Sequence, residues 1–144
     1  MTCRYRGGML QRNMEIVRAL FRAFNERNVD AALVLMAPDG EWGPAFPRGG
    51  LIEGAVYRGH EGVRKSYEMQ SEKWESVTAE IVDLEDFGDK VLVEVHLRAI
   101  ERRKDVHPVD RTTWNLLEIR DNKVASGLVY PTRQAALESA GLPE

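Results

Sequence analysis

A single cysteine, Cys3, occurs in the 144 residues, which excludes an intramolecular disulfide framework or a cysteine zinc site and fits a reducing compartment. No apolar run approaches the roughly 20 residues that a bilayer-spanning helix needs. The arginine-bearing stretch from Met1 to Asn13 has no apolar centre of the signal-peptide kind. A cytoplasmic location and no membrane contact are therefore expected. Basic residues are not in excess: 20 Lys and Arg stand against 23 Asp and Glu, for a formal charge of -3. No global field attracts phosphate, and no nucleic-acid partner is expected. The short basic string Arg102, Arg103, Lys104 abuts Glu101 and Asp105 and reads as the solvated tip of a hairpin. The three histidines, His60, His96 and His107, lack the spacing of a metal site, so no metal is expected. Gly7-Gly8 and Gly49-Gly50 lie outside any strand-glycine-helix context, so no cofactor is expected either.

What the chain does have is the profile of one packed domain, 43% hydrophobic and 30% charged, with length enough to bury a core unaided. Residues 1–13 are expected to form a flexible tail and 14–144 a single domain. Met14, Val17, Leu20, Phe21 and Phe24 recur at helical spacing, with Glu15, Arg18, Arg22 and Glu26 opposite them. Asp30 is a candidate cap for a short second helix from Ala31 to Met36, halted before Pro38. Glu41-Trp42 is strand-like, and Gly43 to Arg58, rich in glycine and proline, reads as a long loop with a short strand at 51–56. Val63, Tyr67, Gln70 and Trp74 mark a third helix.

The second half changes period. Residues 77–87, 90–102, 109–120 and 123–130 read as four successive antiparallel strands joined by tips too short for crossovers. In one of them Val91, Val93, Val95 and Leu97 alternate with Glu94, His96 and Arg98, and that polar row is expected to make cross-strand pairs on the outer sheet face. Thr132 caps a closing helix from Arg133 to Ala140, which Gly141 ends. The fold class is α+β, with helices packed on one face of a mainly antiparallel sheet.

The order of elements, with four strings, resembles the SnoaL-like and ketosteroid isomerase-like branch of the nuclear transport factor 2-like superfamily. The strings are Phe24-Asn25-Glu26-Arg27-Asn28-Val29-Asp30, Tyr57-Arg58-Gly59-His60-Glu61-Gly62-Val63, Ile119-Arg120-Asp121-Asn122-Lys123-Val124 and Ala136-Leu137-Glu138-Ser139-Ala140-Gly141-Leu142. The resemblance implies a cone-like fold, a strongly curved sheet wrapped over three N-terminal helices with a short C-terminal helix, a deep apolar pocket open at one end, and often a homodimer. Its members include isomerases, cyclases and dehydratases, as well as domains that only bind or assemble, so the fold does not decide the chemistry.

In ketosteroid isomerase-like enzymes a carboxylate at the end of the first strand is the base. By local alignment that position falls at Gly43, which leaves Glu41 as the candidate base, although Glu41 also reads as a solvated side chain and Asp39 as a turn residue. The acid that holds the oxyanion in that family aligns with Asn115, whose amide donates a hydrogen bond but delivers no proton. Arg111, Thr113, Asn115 and Leu117 alternate onto one strand face, placed toward the cavity. Trp114 and Leu116 then fall on the other face, where a dimer contact is one use for them. Glu41, Asn115 and Arg111 are thus the candidate catalytic residues, and Trp42, Tyr57, Tyr67, Thr113 and Leu117 the candidate ligand contacts. The expected partner is a hydrophobic small molecule with a carbonyl or hydroxyl group. The alternative is a noncatalytic dimerisation or ligand-binding module.

Overall fold

The computed structural model describes residues 2–4, 10–43, 57–103, 105 and 107–142. Helix α1 runs Leu10–Asn25 and buries Met14, Val17, Leu20 and Phe21, the stripe that its spacing predicts. It begins earlier than the first apolar residue of that stripe, because its opening turn is polar. Gln11 and Arg12 face solvent, while the buried Asn13 donates through Nδ2 to the Gly88 carbonyl at 2.8 Å. The segment expected as a tail differs further: strand β1, Thr2–Arg4, pairs in parallel with β4, Trp74–Asp86.

Arg27 takes a positive φ of 55° in the turn to α2, Val29–Leu35. The cap of α2 is Asn28 and not Asp30: its Oδ1 accepts from the Ala31 amide at 3.1 Å, and Asp30 lies inside the first turn, where its charge suits the helix dipole. Strand β2 covers Met36–Trp42, longer than the Glu41-Trp42 stretch read from sequence, and tolerates Pro38 because its pairing with its neighbour is irregular between Met36 and Glu41. The short strand expected at 51–56 lies outside the described residues. Strand β3, Tyr57–Arg58, leads into α3, Gly59–Lys73. Trp74 belongs to β4 and not to α3.

The remaining strands are β5, Lys90–Glu101, β6, Val109–Arg120, and β7, Lys123–Tyr130, followed by α4, Arg133–Ala140. β4 to β7 pair antiparallel in succession, as their short connections require. The β6–β7 turn places both Asp121 and Asn122 at positive φ, 53° and 63°, a conformation these two residue types tolerate. The sheet has seven strands in the order β1-β4-β5-β6-β7-β2-β3. Both β1 and β2 join in parallel, so the sheet is mixed. Pairing shifts at Ile81/Asp83 and Glu118/Ile119 are irregularities of the kind that bend strands.

The inner face carries Val91, Val93, Val95, Leu97 and Ala99 of β5, each 2% exposed or less, against α1 and α3. The outer face is split. At one end α4 covers Leu92 and Leu116, with Ala136 and Leu137 fully buried and Trp114 and Tyr130 packed beside them. Leu116 is therefore covered by the chain's own helix, while Trp114 packs half-buried beside it. Thr132 caps α4 through its hydroxyl, which accepts from the Ala135 amide at 3.0 Å, and Gly141 ends it at φ 67°. At the other end lies the polar row, where His96 Nε2 meets Asp110 Oδ1 at 2.5 Å and Arg98 stands 3.8 Å from Oδ2 of the same residue. That contact with His96 holds the Asp110 carboxyl below its usual range.

Candidate functional site

Between α1 and the inner sheet face lies a cavity whose wall can be built strand by strand. From α1 come Leu20, Phe21 and Phe24; from the sheet come Trp42, Ala79, Val95, Leu97, Thr113, Asn115 and Val129. The pairing explains the set: Val95 faces Thr113, and Asn115 lies between Val93 on β5 and Val129 on β7. Directly opposed residues share a face, so Thr113 and Asn115 sit among valines and are 2% and 8% exposed. The enclosed part measures about 30 Å³ by the positions open to a water centre, room for roughly two waters. A larger guest reaches it only with its body extending toward the opening.

A reciprocal amide contact fixes the roof. Asn25, the last residue of α1, donates from Nδ2 to the Ala79 carbonyl at 2.9 Å, and its Oδ1 accepts from the Ala79 amide at 2.8 Å. β1 pairs with β4 only at 83–85, so at Ala79 the backbone faces an open sheet edge. The asparagine side chain satisfies both groups there and docks the helix onto the strand whose Ala79 methyl lines the cavity.

Trp42 closes another side. It pairs with Tyr57 on β3 and with Gly127 on β7, and the benzo edge of its indole rests on Gly127. A Cβ built there would lie 2.6 Å from Trp42 Cζ3 and 2.9 Å from Leu117 Cδ2. Trp42 is 8% exposed, and its Nε1 is buried with no hydrogen-bond partner among the described residues.

Of the candidate residues, the structure brings Trp42, Thr113 and Asn115 to one cavity. Leu117 is fully buried beneath them beside Gly127. Tyr57 packs next to Trp42, and its hydroxyl donates to Met69 Sδ at 3.3 Å. Arg111 stands at the exposed end of the same β6 row, opposite Leu97. Glu41 is one residue from Trp42 and so points from the other face of β2, where it pairs with Arg58 at 3.0 Å and is 41% exposed. It is not brought to the cavity wall.

Tyr67 lines a separate, smaller cavity with Arg27, Gln70 and Ser71, and its ring meets Phe24 edge to face with centroids 6.2 Å apart. Burial pushes its hydroxyl up to about 12, against about 10 for an unperturbed tyrosine. It therefore stays a neutral phenol at neutral pH. Because the folded value lies above the unfolded one, the neutral phenol contributes stability that is full below pH ~10 and lost as the pH rises through ~12. Tyrosinate difference absorbance of the folded protein should therefore show one tyrosine ionising near pH 12, and Tyr67→Phe should remove that step. Ionisation of every described tyrosine near pH 10 in the folded state would contradict the placement.

Sequence reasoning did not find Ala79, Val95, Leu97 or Val129 as wall residues, nor Gly127 as the seat of the indole. A glycine in the middle of the strand Val124-Ala125-Ser126-Gly127-Leu128-Val129 was the available signal, since such a glycine marks close approach of another group.

Comparison with known proteins agrees with the fold. Residues 17–127 match the model of the SnoaL-like domain. No curated protein matches the chain. Among solved structures, TerC co-crystallised with polyporic acid superposes with a TM-score of 0.73 at 20% identity, covering 88% of this chain and 96% of that one. A protein with a ketosteroid isomerase-like fold from Catenulispora acidiphila, in complex with trimethylamine, gives 0.71 at 25% identity over 90% and 94%. A candidate polyketide cyclase from Sinorhizobium meliloti gives 0.63 at 25% identity over 81% and 94%. Among the described residues no helix is long and apolar enough to cross a membrane.

Proposed function

The chain belongs to the SnoaL-like domain family, and from that premise we propose that it binds a hydrophobic small molecule bearing a carbonyl or hydroxyl group in the cavity beneath α1. The observation that carries the reading is the character of the wall. Among the described residues, seven apolar side chains enclose three with polar atoms, Trp42, Thr113 and Asn115, and none of these ten is ionisable. Ligand sites have this composition, an apolar body with a few placed hydrogen-bonding groups.

The same composition weighs binding above proton transfer. A general base must come within hydrogen-bond reach of the proton it removes. The candidate for that work, Glu41, is engaged with Arg58 on the opposite strand face. Isomerase, cyclase or dehydratase-like chemistry through Glu41, with Arg111 and Asn115 polarising an oxygen, is the competing outcome of the test. A homodimer and a cytoplasmic location belong to the proposal as well.

The test is a thermal-shift panel of enones, lactones, epoxides and quinones, with turnover followed in parallel. A ligand at one hundred times its Kd should stabilise the protein by about 2.7 kcal/mol. Ala79→Leu, which places three more heavy atoms in the cavity, should abolish that gain, and Glu41→Gln should leave it unchanged. Stabilisation that survives Ala79→Leu would place the ligand elsewhere. A turnover rate lost in Glu41→Gln would establish the enzyme in place of the binding module.

A further inference from the structure

On β6 the inward-facing row runs Val109, Arg111, Thr113, Asn115, Leu117. Val109 is half-buried, the last three are buried, and Arg111 alone is exposed. Strand pairing fixes the direction in which it leaves the sheet. Arg111 stands directly opposite Leu97, and directly opposed residues share a face with their Cβ atoms about 5 Å apart. Leu97 and Thr113, its neighbours across the ladder and along the strand, both line the cavity beneath α1. The arginine stem therefore starts on the cavity side, next to the wall, and its charged head reaches water at the rim.

The surroundings leave that charge on the rim. β7 pairs with β6 no further than Trp114 and Tyr130, so Arg111 lies beyond the end of β7. Asp110, adjacent in sequence, points to the outer face, where His96 and Arg98 hold it. Arg111 interacts within the chain as well, but a guanidinium carries five N–H donors in a fork that matches a carboxylate.

The cavity itself restricts where a charge can sit. Its enclosed part has room for roughly two waters, and an ionised group taken into it would lose its hydration. The charge of an amphipathic ligand stays outside while its apolar end goes in. With a strand rise of about 3.4 Å per residue, Arg111 lies roughly 7 Å from Thr113 along β6, a gap that a short alkyl chain bridges.

From this we infer that Arg111 determines specificity by holding a carboxylate at the rim, and that the ligand is an amphipathic acid, an anionic head on an apolar tail, selected over the amide and the amine of the same shape. The inference rests on the binding reading above and narrows it to one ligand class. It gives Arg111 a part in recognition and no step in a reaction.

The test is calorimetric titration of the whole chain with hexanoate, hexanamide and hexylamine at neutral pH and low salt. Hexanoate should bind about three- to tenfold more tightly than hexanamide, between the effect of an exposed ion pair and that of a charged hydrogen bond out of water, and hexylamine should bind most weakly. Raising the ionic strength from about 0.01 M to about 1 M cuts the Debye length from about 30 Å to about 3 Å. That change should erase most of the preference while holding hexanamide within about twofold. Arg111→Gln should bring hexanoate down to the affinity of hexanamide, whereas Arg111→Lys should keep the salt dependence with a smaller preference, because an ammonium lacks the planar fork. Ala79→Leu, which fills the cavity, should weaken acid and amide alike. Equal binding of acid and amide to the wild type, with both lost in Ala79→Leu, would overturn the role of Arg111 and leave the binding reading standing. Acid binding that needs Arg111 but survives Ala79→Leu would put the acid on the surface and overturn the inference as well. No binding of any of the three would remove the binding reading on which the inference stands. Because the salt dependence is read on the wild type, a variant that folds poorly does not cancel the result.

Discussion

Gly127→Ala should destabilise the protein by about 1–2 kcal/mol and abolish ligand binding. The reasoning depends on separating the two uses of glycine. Gly127 is not among the residues at positive φ, so its backbone conformation is open to alanine. Alanine in a strand is ordinarily worth roughly 0.5–1 kcal/mol more than glycine. The added methyl would nevertheless sit 2.6 Å from Trp42 Cζ3, 2.8 Å from Cε3 and 2.9 Å from Leu117 Cδ2, all closer than carbon atoms approach one another. Overpacking of this kind costs about 1–3 kcal/mol, and the conformational gain offsets only part of it. Urea denaturation should show the midpoint falling with little change in slope. The distinguishing result is the double variant: Gly127→Ala/Trp42→Leu should recover stability relative to the sum of the single changes, because the clash is between these two side chains. Strict additivity would mean that the indole is not seated where it is placed here. Binding should fail in Gly127→Ala because the ring that the new methyl displaces is itself part of the cavity wall.

The fold was legible in the sequence to the extent that each element carries its own period. The four long strands declare themselves by alternation and by their short polar tips, and Thr132 and Gly141 mark both ends of α4 through groups whose only local use is capping. What was not legible depends on partners distant in sequence. Strand β2 reads as two residues because Pro38, Asp39 and Gly40 contradict strand propensity, and only its pairing beside β7 makes it extended. The cap fell to Asn28 in place of Asp30 because both residue types suit the position and the turn at Arg27 decides between them. The parallel addition of β1 has no local signature.

The site was legible by face and not by depth. Alternation along β6 places Arg111, Thr113, Asn115 and Leu117 on one side, as the register bears out. The same rule cannot say that the row runs from an exposed end at Arg111, past a cavity at Thr113 and Asn115, to a solid floor at Leu117. Glu41 illustrates the complementary limit. Its nearness to Gly43, where the base of ketosteroid isomerase-like enzymes aligns, makes it the candidate base, but adjacent strand residues face opposite ways, so the alternation that puts Trp42 on the wall puts Glu41 off it. The burial of Leu116 turned on α4, whose landing place no residue of β6 announces.

On the outer face, Arg133→Met should cost about 2 kcal/mol without touching the cavity. Arg133 Nη2 lies 3.0 Å and 2.8 Å from the two carboxylate oxygens of Glu85, whose side chain is 4% exposed while that of the arginine is 34% exposed. Breaking a fully buried pair by removing one partner costs about 3–5 kcal/mol, because the remaining charge stays buried; the partial exposure of Arg133 lowers the figure through solvent screening. The melting temperature should fall by roughly 5–8 °C for a domain of this size. Arg133 opens α4 and Glu85 is paired opposite Leu92, so the ion pair ties the helix to the strands that it covers. Its loss should loosen α4 selectively, raising amide exchange at Ala136 and Leu137 and exposing Leu92 and Leu116 to a hydrophobic dye. Replacing the carboxylate as well, in Arg133→Met/Glu85→Leu, should restore most of the stability, since an apolar pair of similar volume has no charge to strand. A double variant as unstable as the single one would show that the pair acts through geometry and not charge. Ligand affinity should be unchanged throughout: Leu84 and Val93 of the inner face separate this cluster from Asn115 and Thr113, and sites without shared partners respond independently.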